Sequence, residues 1–533
     1  MRPASDDGRY PVYVLAVLVL VYVFNFLDRQ IVSILAERIK ADLGTTDAQM
    51  GFLYGTAFAV FYAIFGIPLG RLADVWDRRG LISVGLAFWS VMTAMSGFAR
   101  SFGQLALARI GVGVGEASAS PAAFSMLSDT FPPARRATVL AMYSSGIYIG
   151  AGLGLGIGGL VVDRWDAAFA GSPPPFGLRG WQVAFFIVGL PGLLLAAWVA
   201  TLREPVRGAM DGLPPPPKHP APFREFAREL RAVVPPFTLL HLHLAGAGAR
   251  AIAANVAAAA ALAIAAWGAA LALGTPVQWI ALAIGLYAAF SWTQALGARD
   301  PAAYALIFRT PALRYAGIGF SFLAFTGYAT GFWAAPFLMR VHGASAAQVG
   351  LILGALSAVA GWLGATTGGI LADRLRRRAT TGRLQVGLLT ALAPLPIAWW
   401  AFTTPSTTTV LALVFPLTFL TSLWLGPGAS TVQDLVLPRM RATASAAYLL
   451  VVTFVGLAMG PYTVGRLSVS LGDLRSAILW SLVANAFAAG FLLLAMRSLE
   501  HDQACVLKRA REAGERGLGP DGGEAAAARG RSA

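Results

Sequence analysis

Gly70-Arg-Leu-Ala-Asp74-Val-Trp-Asp-Arg78-Arg79-Gly80 connects two long apolar runs, with an acid at Asp74 and a basic pair four and five residues on. A degenerate copy, Gly369-Ile-Leu-Ala-Asp373-Arg-Leu-Arg-Arg-Arg378, also lies between apolar runs. A Gly-x-x-Ala-Asp turn followed by basic residues, present twice in so apolar a chain, points to an internally duplicated membrane protein.

Composition agrees. Of 533 residues, 57% are hydrophobic and only 13% charged, which is not the balance of a soluble domain. The formal charge of +15 would suggest nucleic acid in a soluble chain. Here the arginines fall mostly in short loops between apolar runs, where positive charge sets membrane orientation, so no nucleic-acid partner is expected. The lysines are only Lys40, Lys218 and Lys508, and with abundant Ala, Gly and Pro this suggests a GC-rich bacterial genome. The single cysteine, Cys505, allows no internal disulfide. The first apolar run, 12–27, is too long for a signal-peptide core and lacks a small-residue cleavage site, so a separable signal is not expected.

Twelve runs of spanning length are read from the sequence: 11–36, 50–72, 81–99, 102–127, 138–162 and 181–202, then 312–339, 349–372, 384–402, 408–425, 442–465 and 478–496. Only helices satisfy this many spanning backbones, so the fold class is all-α membrane protein. Between the halves, residues 203–311 begin as a Pro-rich charged linker and then turn apolar, broken by Arg250 and Gly274-Thr-Pro276. Two extra spans are expected there, about 251–273 and 277–297. The two acid-and-base loops must share a side, which requires an even number of inserted spans. The expectation is therefore fourteen transmembrane helices: residues 1–202 as one six-helix bundle, 203–311 as linker plus inserted hairpin, 312–497 as the second bundle, and 498–533 as a mostly disordered tail with a short helix near 506–516. Both termini would be cytoplasmic, in a bacterial inner membrane. The alternative leaves 237–297 partly in the interface, with His241, His243 and Arg250 on a wet face. A second duplicated motif strengthens the case for two halves: Pro133-Ala-Arg-Arg136-Ala-Thr138 and Pro438-Arg-Met-Arg441-Ala-Thr443 lie 305 positions apart, against 299 for the first pair.

These residues resemble the major facilitator superfamily, whose loop signature Gly-x-Leu-Ala-Asp-Arg-x-Gly-Arg-Arg is met by Gly70, Leu72, Ala73, Asp74, Arg78 and Arg79. Asp77 stands where that family usually has glycine. More narrowly, Asn25-Phe-Leu-Asp28-Arg29, Arg109-Ile-Gly-Val-Gly-Val-Gly-Glu116 and Gly319-Phe-Ser-Phe-Leu-Ala-Phe-Thr-Gly-Tyr328 look like its Spinster branch. The resemblance implies two six-helix bundles, and proton-linked export of lysophospholipids or sphingoid lipids.

The residues expected to carry mechanism are the intramembrane charges Asp28, Arg29, Arg109 and Glu116. Asp28 lies about 25 Å along its helix at 1.5 Å per residue, and Arg109 and Glu116, two turns apart, share a face. Each such charge costs at least about 2.5 kcal/mol in a span, so it pairs inward or lines a wet cavity. They can be a structural cluster locking helices one and four, or a proton and substrate switch; the second is expected because four charges converge on one half. A carboxyl's protonation reflects burial set against a neighbouring guanidinium, so an acid that loses its arginine partner during transport would exchange a proton. Asp28 is expected to be that acid, Arg109 the competing cation that meets an anionic headgroup through its bidentate fork, and Glu116 the counter-ion of Arg109. Asn25, Tyr148, Ser321, Tyr328, Trp333 and Trp424 are expected in the cavity, aromatic on one side and polar on the other, as suits an amphipathic or anionic solute.

Gly70, Asp74, Arg78, Arg79, Asp373, Arg374 and Arg377 are expected as a conformational latch, with Asp129 and Asp434 as partners of the arginines; the alternative is charge that only sets topology. The fifth-helix glycines between 146 and 159 should allow close helix approach. His241 and His243 lack a third ligand, so no metal is expected. No nucleotide-binding loop, catalytic constellation or cofactor site is present, so the chain is expected not to be an enzyme, and to act as a monomer whose partners are the bilayer, its solute and protons. Rival readings are a drug, sugar-phosphate or organic-anion carrier on the same fold, or a lipid scramblase or transport-inactive sensor.

Overall fold

The computed structural model describes residues 9–208, 210, 220–244, 246, 248–437 and 440–515. Pro438 and Arg439, linker residues 211–219 and the tail after 515 lie outside the described residues. Among the described residues the elements are all helical.

The first half comprises α1 (Arg9–Leu43), α2 (Asp47–Val75), α3 (Arg78–Ser96), α4 (Phe102–Glu116, continued after a short turn by Ala119–Thr130), α5 (Pro133–Ser144 and Gly146–Ala168) and α6 (Gly180–Ala200). The second comprises α12 (Pro311–His342), α13 (Ala346–Arg376), α14 (Gly382–Thr403), α15 (Thr407–Asp434), α16 (Thr443–Leu471) and α17 (Leu474–Ala504). Twelve helices are long and apolar enough to cross a membrane, counted over the described residues. Both helices of the inserted pair are among them; α3 and the interrupted, charge-bearing α4 are not.

The duplication reaches the helix caps. Thr46 and Gln49 form a reciprocal capping box at the start of α2, and Ser345 and Gln348 repeat it at the start of α13, 299 positions on. Ser101 caps α4 and Ser406 caps α15, 305 positions on. The register therefore slips by six residues between α13 and α14, where the second half has a longer connection.

The halves are joined at the end remote from the arginine-rich loops. There Arg340 of α12 grips Asp47 of α2 through two nitrogens, at 2.7 and 2.8 Å, and Glu37 of α1 at 2.6 Å. Ser468 of α16 also donates to Asp47, at 2.7 Å. Glycines let backbones meet at this seam, as expected for α5: a Cβ on Gly159 would lie 2.1 Å from the Ala346 oxygen, and one on Gly152 2.7 Å from the Gly354 oxygen. Gly150 and Gly154 turn the other way and pack on α1.

The insert is more than a hairpin. It comprises α7 (Pro222–Val233), α8 (Phe237–Leu244), α9 (Ala249–Leu273), α10 (Pro276–Arg299) and α11 (Pro301–Arg309). The stretch expected as a linker up to Arg231 folds in part as α7, whose Phe223 packs at a tilt against Trp76 and whose Glu225 meets Arg71. In the tail the short helix expected near 506–516 is present, and the last bundle helix runs further than expected. Helix α17 runs on to Ala504, and α18 (Val506–Glu512) docks because buried Asp502 accepts from the Ala312 amide at 2.7 Å and from Arg509 at 2.5 Å.

Candidate functional site

The sequence places charges on α1 and α4, and the fold brings them together inside the first half. Asp28, Arg109 and Glu116 are each at most 1% exposed. Arg29 donates through Nε to Glu116 Oε2 at 2.6 Å. Its guanidinium also lies 4.1 Å from the Phe58 ring centre, 4.7 Å from Phe26 and 4.9 Å from Tyr62, an aromatic cage that offsets the lost hydration. Glu116 is thus the counter-ion of Arg29, not of Arg109 as the spacing suggested. Helical spacing places residues on a face but cannot choose between two cations that both reach it.

Arg109 Nη1 donates to the backbone oxygen of Asp28 at 3.1 Å rather than to its carboxylate. The Asp28 carboxylate accepts from Thr93 of α3 at 3.1 Å through one oxygen, and its other oxygen has no protein hydrogen-bond partner. Arg109 Nε and Nη2 and Glu116 Oε1 are likewise without protein partners. The Asp28 carboxyl and the Arg109 guanidinium are thus buried neighbours, each incompletely engaged, and unlike Arg29 and Glu116 they do not bond each other. Asn25, 1% exposed, belongs to the same α1 turn.

Beside this cluster lies a cavity of about 280 Å³ between the halves. Tyr148, Tyr328 and Trp424 line it, as expected. Phe26 and Gln30 bring α1 to its wall, while Leu417, Thr418, Thr421 and Ser422 supply the α15 face. Asp28, Arg29, Arg109 and Glu116 are all absent from the lining, so the charges sit behind α1 rather than along the cavity as expected. Three other candidates are elsewhere, Asn25 buried on the charged turn of α1 and two on α12. Ser321 turns back onto the Gly317 oxygen at 2.7 Å, and fully buried Trp333 donates to the Pro461 oxygen at 2.9 Å, bracing α12 to α16. Gln30, missed by the sequence reading, bridges Tyr54 at 3.0 Å and the Gly331 oxygen at 3.1 Å. Its signal was a third consecutive polar residue after Asp28 and Arg29 in an apolar helix.

The latch residues divide sharply. Arg78 is fully buried and engages Asp129, with Glu204 Oε1 at 2.6 Å, Ser125 Oγ at 2.8 Å and the Pro205 oxygen at 2.9 Å. Arg79 holds the Leu202 oxygen at 2.7 Å. The Asp74 carboxylate is 63% exposed, with Arg71 at 3.8 Å; Arg207 binds the backbone of this turn, at Ala73, Asp74 and Trp76. Gly70 packs near Pro121 of α4, where a Cβ would fit at 3.8 Å. In the second half Asp434 binds Arg376 and Arg383, and Arg383 also reaches the Ser430 oxygen at 3.0 Å. Asp373, 71% exposed, lies 3.9 Å from Arg383, and Arg374 and Arg377 are exposed. Positions 383, 430 and 434 each lie 305 beyond 78, 125 and 129, so Arg383 is the true counterpart of Arg78. Asp129 and Asp434 are the partners anticipated. Each arginine-rich knot closes within its own half.

Known proteins place these features. A family model described as Major Facilitator Superfamily matches residues 18–461. An MFS-type efflux pump of Mycolicibacterium smegmatis is 30% identical over 90% of this chain and 87% of its own. Protein spinster homolog 1 of Xenopus tropicalis is 25% identical over 93% of this chain and 82% of its own. A crystal structure of a bacterial homolog to the human lysosomal transporter Spinster, in an inward-facing and occupied conformation, is 26% identical, with a TM-score of 0.68, covering 93% of this chain and 98% of that one.

Proposed function

The chain belongs to the major facilitator superfamily and is a Spinster-like, multi-pass membrane transporter, and from that premise we propose that it moves an amphipathic, lipid-like solute by proton-coupled alternating access. The observation that carries this reading is the pairing of two features: a largely apolar and aromatic cavity between the halves, and a buried Asp28–Arg109 pair directly behind its α1 wall. An apolar tail suits the α12 and α15 face; a charged headgroup suits Gln30 and the Arg29 turn, where the Arg29 side chain retains 14% exposure.

In the proposed cycle, rearrangement of α1 against α4 brings Arg109 onto the Asp28 carboxylate and expels its proton, and separation restores the protonated acid. The Arg29–Glu116 pair keeps the turn rigid, because breaking a buried pair leaves an uncompensated charge. The clamp of Asp47 and Arg340 closes one end, so the cavity opens toward the arginine-rich loops, the cytoplasmic side under the positive-inside rule. We further propose fourteen spans, with α9 and α10 in the bilayer and both termini cytoplasmic in a bacterial inner membrane.

Reconstitution in proteoliposomes tests the substrate class. Labelled lysophospholipids and sphingoid lipids should accumulate against organic anions and sugar acids as controls, and faster with a pH gradient. A preference for the water-soluble anions would contradict the lipid reading. Equal movement with and without the gradient would point to scrambling. For topology, a cysteine at Gly274 in a Cys505→Ala background should react with an impermeant maleimide from outside; labelling only from the cytoplasm would sink the fourteen-span arrangement.

A further inference from the structure

A transporter built of two halves has two lateral seams where the halves face each other, here α5 against α13 and α2 against α16. Only one of them is bare. At the α2–α16 seam the backbones meet near the clamped end, where Thr56 donates to the Ala458 oxygen at 2.8 Å. Toward the arginine-rich end the gap is occupied by α10. Gly285 of α10 sits at the fork: a Cβ there would lie 2.5 Å from Phe454 of α16 and 3.0 Å from Val60 of α2. Phe454 projects from a π-turn, Val452–Ala458, that interrupts α16 at this level. One turn further, Ala288 and Trp292 of α10 share a buried apolar cluster with Val60, Ala63 and Ile64 of the first half and Leu323, Ala324 and Phe454 of the second.

Polar and aromatic tethers hold the insert in that position. Arg466 of α16 donates to the Leu273 oxygen at 2.7 Å, capping the C-terminus of α9. Gln278 approaches Met459 Sδ at 3.6 Å, and Trp279 meets Tyr462 edge-on at 5.7 Å. Inside the insert, Asn255 of α9 donates to Ser291 at 3.1 Å and Gln294 at 3.0 Å, and accepts from Tyr287 at 2.5 Å, all on α10. Such a satisfied polar network fixes the register of two apolar helices that otherwise present smooth faces. The outer surface of α9 is bare and apolar, with Trp267 70% and Leu271 73% exposed.

The cavity shows the opposite asymmetry. Its walls include Ile147, Tyr148, Ala151 and Leu155 of α5 and Leu353 and Ser357 of α13, and no residue of α2, α10 or α16. We propose that the inserted pair is a fixed lateral cover: α10 shuts the α2–α16 seam against bilayer lipid, so that hydrocarbon reaches the inter-bundle space only from the α5–α13 side. This rests on α9 and α10 lying in the bilayer, as proposed above.

The test is to map hydrocarbon contact in the full-length protein. The protein is reconstituted in vesicles containing phosphatidylcholine with a diazirine on its acyl tail, irradiated, and its adducts are located by mass spectrometry. Adducts are expected on Trp267 and Leu271 and on the α5–α13 flank, at Ile149 and Trp362, with Val60, Ile64 and Phe454 protected. Adducts on Val60, Ile64 or Phe454 would overturn the cover, and absence of adducts on Trp267 and Leu271 would overturn the placement of the insert in lipid. In Gly285→Trp, which forces α10 off the fork, Ile64 and Phe454 are expected to become labelled; continued protection in a folded variant would also overturn the proposal. If that variant does not fold, the map of the unaltered chain still decides. Since the probe is bulk lipid, the outcome is independent of the cargo: a failed lysolipid transport assay with an intact map refutes the substrate reading alone.

Discussion

Arg78 and Asp74 share one loop yet stand at opposite ends of the energetic scale. The Arg78 guanidinium is fully buried and spent on Asp129, Glu204, Ser125 and a carbonyl. Arg78→Ala leaves two carboxylates facing an empty, desolvated site, so a loss of about 3–5 kcal/mol is expected, read as a large fall in melting temperature in detergent. Asp74→Asn removes a charge that is 63% exposed with one distant partner, and should cost less than about 1 kcal/mol. Equal effects would mean that the knot is not what holds this end of the half. Arg383→Ala should cost less than Arg78→Ala, because Asp434 keeps Arg376 as its partner. The sequence motif made Asp74 and Arg78 look alike, because a loop signature says which residues recur and not which are desolvated. It also pointed to Arg374 and Arg377 in the copy. Arg383 was hidden because six extra residues in the second loop shift it out of the motif's register. On α1 and α4 the four charges were plain in the sequence, since each is conspicuous in an apolar run; their pairing was not, because it depends on the rotation of one helix against the other.

Helix by helix, the duplication is more complete than its loops suggest. The capping pairs Thr46–Gln49 and Ser345–Gln348 recur at the spacing of the loop motif, and Ser101 and Ser406 recur at that of the Arg78–Arg383 pair. Both were legible as Ser or Thr three residues before Gln or Thr at the head of an apolar run. Helix α7 was legible too: Phe223, Phe226, Leu230 and Val233 follow the helical period, but the prolines and charges around them drew the eye to a linker. The glycines of α5 allow a sharper test. Gly159→Val places a branched side chain where a Cβ is already 2.1 Å from the Ala346 oxygen, whereas Gly156→Ala has 3.6 Å of room. Valine at 159 should cost about 1–3 kcal/mol and lengthen spin-label distances between α5 and α13 beside the site where Asp163 accepts from the Ala347 amide at 2.7 Å. Alanine at 156 should be silent in both measurements. A silent Gly159→Val would show that the halves do not meet there.

For the whole molecule, the structure is a transporter fold closed at one end by a small number of strong contacts. Asp47 gathers Lys40 at 2.5 Å, Arg340 at 2.7 and 2.8 Å and Ser468 at 2.7 Å, joining both halves at one residue. Asp47→Asn should weaken the clamp and raise the reactivity of a cysteine placed at Ser33, which now donates to the Phe332 oxygen beneath it at 2.5 Å. Unchanged protection would assign closure to the glycine seam instead. Two halves, two long apolar helices between them and an acid buried in an apolar helix were all readable from hydropathy, charge bias and repetition. The depth of the cavity, its separation from the charges and the wrapping of α10 across both halves were not, because they arise from contacts between segments hundreds of residues apart. In the proposed cycle the Asp28 carboxyl is the group that couples protons to movement. Proteoliposomes bearing the unaltered chain or Asp28→Asn, supplied with a labelled lysophospholipid, should both exchange label without a gradient. An imposed pH gradient should then drive net uptake only in the unaltered chain. Full pH-driven uptake by Asp28→Asn would contradict it.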